Sequence, residues 1–491
     1  MMTAKKCSLL VLCMGVLSGC AAVGPTYQRS EMELPQAWPA GESPTAVPGE
    51  SATSIVNVGE RWWTLYGDSR LDALQEEALT HNADVQVAAA RVLEARAQAG
   101  ITNTDRAPVI YAAAGARRTQ SSQVGSSPLP AGTPRTQNDF RATLEASYEL
   151  DLWGRYQRAS EAARAELMAA ESSRETVRLT LTADVARNYF GLLAADQREA
   201  VLRRTVDARN ETLGLIRLRL SGGVASQFDL DLAQAEEAEA RILLAGVALA
   251  REQQEATLAV LLGRSPRAVM SGAISRELVA MPTPTLAVPA GLPSELLLRR
   301  PDIRVAEQKL IAENARIGAV RAQVFPAITL TAFLGSESAT LSDLFSGPAG
   351  IYQFASNLIQ PLFNAGRLKH AQAAAQARRD QALASYQLAV ANAFADVRRA
   401  LAAQESARAI LGFNGQRTNA LHQAYQQATR RHEGGLISRV DLLDIERQRL
   451  QAELTHVDAA FAQRVAAIDL IKALGGGWSV SSEARAQADS P

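Results

Sequence analysis

The chain has 491 residues, 47% of them hydrophobic and 21% charged, with 51 basic residues against 51 acidic ones. That balance supplies no basic footprint for nucleic acid, and the histidines (His81, His370, His422, His432, His456) lack metal-ligand spacing, so neither a nucleic-acid partner nor a metal is expected. Two of the three cysteines, Cys7 and Cys13, fall in the first nineteen residues, which leaves no internal disulfide to form after them.

Residues 1–19 read as an export signal, with Lys5 and Lys6 ahead of the apolar run Ser8 to Leu17. That run is too short to span a bilayer as a mature helix. It ends in Leu17-Ser18-Gly19-Cys20, which resembles the bacterial lipobox, so Cys20 is expected to carry a covalent lipid and to become the first mature residue. No other cofactor is expected. Ala21, rather than Asp, follows the cysteine, which by resemblance to sorted lipoproteins implies the outer membrane. Residues 20–65 read as an extended, lipid-anchored segment. No later stretch offers the roughly 20 apolar residues of a membrane helix, so any crossing must use closed β-strands.

From residue 66 onward the chain is one plan written twice, residues 66–285 and 286–478, before a tail at 479–491. Asp84-Val85-Gln86-Val87-Ala88 aligns with Asp302-Ile303-Arg304-Val305-Ala306 at an offset of 218, and Pro108 with Pro326. Further along, Gly154-Arg155 aligns with Gly366-Arg367, Gly222-Gly223 with Gly434-Gly435, and Asp229-Leu230 with Asp441-Leu442, all at 212. The second repeat is therefore six residues shorter between Pro326 and Gly366, and the Ser, Pro and Gly-rich stretch Ser121–Asn138 is the expected loop. Each repeat should run helix, strand, loop, strand, long helices, with strands near 109–119 and 139–152, then 327–335 and 351–362.

The second strand alternates most clearly. Phe140, Ala142, Leu144, Ala146, Tyr148, Leu150 and Leu152 are separated by polar residues. That pattern fits lipid on one side and water on the other, or a half-buried strand of a soluble sandwich. About four strands form no core of their own and are too few to close a barrel, so several copies must contribute. Glu145, Glu149 and Asp151 on the polar side are candidate lumen residues.

The helical regions are long. Pro134 and Pro266 enclose 131 residues without proline, and Pro361 and Pro491 enclose 129. Gly154 to Leu220 alone is 67 residues, about 100 Å as a helix. Such a helix must pack side by side with others, which the abundant alanine permits. Within each region one glycine pair interrupts the pattern, at 221–226 (Gly222, Gly223, Val224, Ala225, Ser226) and at 433–438 (Gly434, Gly435, Leu436, Ile437, Ser438). Glycine takes the positive φ that ends a helix. Ser226 and Ser438, with Asp229 and Asp441 three positions later, are expected to cap the helices that follow.

The segments Arg61-Trp62-Trp63-Thr64-Leu65-Tyr66-Gly67-Asp68, Leu292 to Ile303 (with Arg299-Arg300-Pro301-Asp302), Phe325-Pro326-Ala327-Ile328-Thr329-Leu330-Thr331, Ala473-Leu474-Gly475-Gly476-Gly477-Trp478 and Val23-Gly24-Pro25-Thr26-Tyr27 together resemble the TolC-like outer-membrane factors, in particular the lipoproteins of the NodT branch. The resemblance implies an α+β membrane protein: a homotrimer whose protomers each give four strands to a 12-stranded outer-membrane β-barrel, continued by a long periplasmic α-helical barrel. It implies an exit duct of a tripartite efflux pump. The duct would pass drugs or other small toxic compounds from a periplasmic membrane-fusion adaptor and an inner-membrane RND transporter. By the same resemblance the two glycine turns dock on the adaptor, with Val224, Leu436 and Ile437 as exposed apolar contacts, and the duct is gated near them. Related gates often carry acidic rings, yet Ser406 to His432 holds no carboxylate. The first repeat offers Asp196, Glu199, Asp207 and Glu211 instead. Metal-ion efflux, type I protein secretion and a lipid-anchored periplasmic scaffold are the alternatives. No phosphate-cradling loop or supported nucleophile arrangement points to an enzyme.

Overall fold

The computed structural model describes residues 22–29, 32–33, 35, 61–122, 132, 134–271, 274, 276 and 300–476. The signal, the lipobox cysteine Cys20, most of the extended segment 20–65, the Leu292–Arg299 half of the arginine-proline motif, Trp478 and the tail at 479–491 lie outside the described residues. The elements are α1 (Ser69–His81), α2 (Ala83–Thr104), β1 (Val109–Gln120), β2 (Thr136–Leu150), α3 (Arg155–Ser221), α4 (Gln227–Leu261), α5 (Pro266–Ser271), α6 (Pro301–Ala322), β3 (Ala327–Ser338), β4 (Gly350–Ile359), α7 (Arg367–Glu433) and α8 (Arg439–Ala473). The chain forms two compact units, and each draws on both repeats. The repeat is thus a feature of sequence rather than a folding boundary, because the two strands of each repeat join one sheet.

The first unit comprises residues 1–30, 92–170 and 306–386. Its sheet is antiparallel in the order β1-β2-β3-β4. Glu145 stands opposite Tyr111 and Phe333, Leu144 opposite Ala112 and Leu334, and Leu334 opposite Tyr352. Because side chains alternate along a strand, this register puts every odd-numbered residue of all four strands on one face. The even face is apolar, with Ile110, Leu144, Leu334, Tyr352 and Phe354 all exposed. Strand β2 starts at Thr136, earlier than the expected 139, because β1 continues to Gln120 and offers it a partner. Strand β4 stops at Ile359, short of the expected 362, since Pro361 has no N–H to give a ladder.

Strand β2 also ends early, at Leu150. Asp151 is a correction to the expected lumen set: its carboxylate accepts the backbone N–H groups of Tyr156 (3.1 Å) and Gln157 (2.8 Å) and so holds the first turn of α3. Gly154, at φ +73°, makes the turn between them. Trp153 stacks on Phe325 at 4.7 Å, and its indole N–H donates to the Pro326 carbonyl at 2.8 Å.

The Val23-to-Tyr27 motif crosses this unit as a strap. Val23 N–H donates to the Trp153 carbonyl (3.1 Å), and Asn314 Nδ2 donates to the Pro25 carbonyl (3.0 Å). Arg29 donates to both oxygens of Glu307 at 2.8 and 3.0 Å, and the Tyr27 hydroxyl donates to Glu307 at 3.1 Å. Gly24 has to be glycine, since a Cβ there would lie 2.4 Å from Gly318 Cα.

The second unit comprises residues 31–91, 171–305 and 387–491. The Arg61-to-Asp68 motif forms a short 3-10 turn at Trp62–Tyr66 whose three aromatic rings are buried. Trp62 Nε1 donates to Thr182 Oγ1 (3.2 Å), Tyr66 packs on Phe190 at 4.7 Å, and Asp68 caps α1 while accepting the Tyr189 hydroxyl at 2.6 Å. The helix expected after this motif is two helices, because Asn82 accepts the N–H groups of Asp84 (2.8 Å) and Val85 (3.2 Å) and starts α2 afresh. Arg300, buried, donates to Asp302 (2.6 Å), Asp396 (3.1 Å) and the Ala473 carbonyl (3.1 Å). One guanidinium thereby ties the start of α6, the middle of α7 and the end of α8, the kind of planar multi-point contact that arginine makes and lysine does not.

Candidate functional site

The two glycine turns are built alike. At the first, Gly223 N–H bonds the Leu220 carbonyl (2.9 Å) and Val224 N–H the Arg219 carbonyl (2.8 Å). At the second, Gly435 N–H bonds His432 (2.9 Å) and Leu436 N–H bonds Arg431 (2.8 Å). This is the Schellman pairing, and it needs a left-handed residue, supplied by Gly223 at φ +71° and Gly435 at φ +72°. Gly222 and Gly434, just past the helix ends and without a positive φ, donate to the carbonyls four residues back, Leu218 (3.1 Å) and Arg430 (3.1 Å).

Capping boxes then start α4 and α8. Ser226 N–H and hydroxyl both donate to Asp229 (2.8 and 2.7 Å), while Asp229 N–H donates back to Ser226 Oγ. Ser438 and Asp441 repeat the pattern at 3.1 and 2.7 Å. Those donors stabilise the charged form: the Ser226 backbone N–H and then its hydroxyl hold the Asp229 carboxyl below the usual carboxylate range, and the Ser438 hydroxyl and then its N–H do so for Asp441.

What the turns display differs. Val224 (70% exposed) and Leu436 (72%) stand out fully, whereas Ala225 is half-buried. Ile437 departs from the expectation: it too is half-buried, and its carbonyl is held by His432 Nδ1 at 3.1 Å. Phe228 and Leu218, at 73% and 70% exposure, flank the first turn. Sequence reasoning missed them, because an apolar residue at a helix end reads as core until its neighbours are known.

Of the four acidic gate candidates, three are spent on arginine. Asp196 pairs with Arg276, Glu199 with Arg203 and Arg251, and Glu211 with Arg439 at the start of α8. Asp207 is exposed and forms no ion pair among the described residues. The Arg439–Glu211 pair joins the first hairpin to the second within this unit.

On the odd face of the sheet, Glu145 accepts the hydroxyls of Tyr111 (2.8 Å) and Thr143 (3.0 Å). Glu149 accepts Arg155 (2.8 Å) and the Tyr156 hydroxyl (3.0 Å). Arg141 lies over the Phe333 ring at 4.4 Å. This polar face backs directly onto the apolar even face.

A sequence-family model described as "Outer membrane efflux protein" matches residues 74–264 and 292–476, one segment in each repeat. The chain is 32% identical over 475 residues to the cation efflux system protein CusC of Escherichia coli O6:H1, covering 96% of this chain and 99% of that one. It is 32% identical over 496 residues to the pyoverdine export outer membrane protein OpmQ of Pseudomonas aeruginosa, covering 99% and 100%. Its fold matches the crystal structure of the open state of the MtrE outer membrane channel of Neisseria gonorrhoeae with a TM-score of 0.80 at 32% identity, over 93% of this chain and 98% of that one.

Proposed function

The chain belongs to the outer-membrane efflux protein family and is an outer-membrane efflux channel, and from that premise we propose that three copies form the exit duct of a tripartite pump whose other parts are a periplasmic adaptor and an inner-membrane RND transporter. The observation that carries the trimer is the sheet. Among the described residues strands β1 and β4 each pair on one side only, so every protomer presents two open edges beside an exposed apolar face. Open edges in lipid cost several kcal/mol per unpaired group and are removed by closure. Three such sheets, joined β4 to β1, give twelve strands with the odd face inward.

The two glycine turns serve as the periplasmic tips, with Val224 and Leu436 as the apolar contacts for the adaptor. Their rigid Schellman and capping geometry presents those side chains at fixed positions without a bound partner. Gating is placed near the same tips, where Arg439 and Glu211 tie the hairpins and opening requires that pair to part. Cys20 carries the lipid, and the strap from Val23 to Arg29 fixes the chain that bears it. Cargo is a drug or another small toxic compound. Relatives at the same 32% identity are named for cations and for pyoverdine, so cargo choice belongs to the inner-membrane transporter and the duct conducts what it is handed.

The test is single-channel conductance of the detergent-purified protein in planar bilayers, with its mass by light scattering. A trimer with small or flickering conductance is the expected result; a monomer that never conducts refutes the duct and leaves the lipid-anchored scaffold.

A further inference from the structure

Six charged side chains stand on the odd face of the four strands: Arg117, Asp139, Arg141, Glu145, Glu149 and Glu337. Two of the carboxylates are neutralised within the sheet, Asp139 by Arg117 at 3.2 Å and Glu337 by Arg141 at 3.7 Å. Glu149 is neutralised by Arg155 at the start of α3, at 2.8 Å. Glu145 is left over. It lies between Tyr111 and Phe333 in the register, its two hydroxyl donors are neutral, and among the described residues no cation pairs with it. The donors from Tyr111 and Thr143 hold the carboxylate on the face without neutralising it; Arg141 attracts it but forms its ion pair with Glu337, so part of the Glu145 charge is left to project a field into an adjoining aqueous space. Arg141, four residues along the same strand, is already committed to Glu337 and the Phe333 ring.

We infer that Glu145 makes the β-barrel section of the duct prefer cations, through a ring of three carboxylates, one from each copy. The inference rests on the trimeric barrel proposed above, which turns the odd face inward. Rings of like charge set ion preference in pores. Screening gives it a second signature. The Debye length is about 10 Å at 0.1 M salt and about 3 Å at 1 M, so the preference should be present at the lower concentration and vanish at the higher one.

The experiment measures the reversal potential of the full-length wild-type trimer under a potassium chloride gradient near 0.1 M and again near 1 M. Two variants are carried beside it, each checked for trimeric mass. The expected wild-type potassium-to-chloride permeability ratio exceeds one at low salt, and Glu145→Gln lowers it at least about twofold toward one. Arg141→Gln should move it the other way, because Glu337 then loses its partner. An unchanged ratio in Glu145→Gln, or a fall in Arg141→Gln, overturns the assignment of selectivity to Glu145 while leaving the duct intact. A wild-type trimer that conducts no ions overturns the duct itself.

Discussion

Substituting the two glycines of the first tip one at a time separates backbone need from mere smallness. A Cβ on Gly223 meets nothing within 4 Å, but its φ is +71°. The cost of Gly223→Ala is therefore purely conformational, about 1 kcal/mol. Gly222 lies outside the left-handed region, and a Cβ there would sit 3.6 Å from the Leu218 carbonyl and from Val224 Cγ2, an ordinary contact. Gly222→Ala should then be neutral or stabilising by up to about 1 kcal/mol, because alanine fits that backbone without strain and lowers the entropy of the unfolded chain. One kilocalorie is about a fivefold change in a local opening equilibrium. Hydrogen exchange of the purified trimer reads it at the Val224 amide, whose bond to Arg219 the turn maintains. Protection there should fall about fivefold in Gly223→Ala and hold or rise in Gly222→Ala, with efflux reduced in the first variant and retained in the second. Equal effects at the two positions, or damage at 222 alone, would refute the left-handed argument.

Gly24→Ala should unseat the strap, since the new Cβ would meet backbone at 2.4 Å and neither chain can give; trypsin should then cleave after Arg29 faster than in wild type, where Glu307 holds that guanidinium. Arg300→Met should cost about 2–4 kcal/mol, toward the lower end because Asp302 and Asp396 keep 38% and 36% side-chain exposure; thermal unfolding of the detergent-purified protein would show it, and an unchanged midpoint would contradict the tie between α6, α7 and α8. The tip carboxyls Asp229 and Asp441 have folded pKa values held below their unfolded ones. Their stabilisation is therefore present above about pH 4 and lost as pH falls through the depressed values, so tip protection should drop in acid and the drop should disappear in Asp229→Asn with Asp441→Asn.

Features that depend on a single residue's backbone or on a short period were readable before any coordinates. The glycine turns are one case, because the left-handed position and the Ser-x-x-Asp cap are fixed by four to six consecutive residues. The polar and apolar faces of β2 are another, because side chains alternate whatever the strand pairs with. Partner choice was not readable, since it depends on residues far apart in the chain. Asp151 continued the polar alternation, yet its carboxylate belongs to α3, because β2 ends where Gly154 turns the chain. Glu145 and Glu149 looked equivalent in sequence; only the closeness of Arg155 to one of them and the register of Tyr111 against the other made them different. Phe228 gave no signal, for exposure is a property of what packs nearby. The Val23-to-Tyr27 motif stood out only by its resemblance to the family, and its reason, two backbones meeting at Gly24 and Gly318, exists only once residues almost three hundred positions apart are brought into contact.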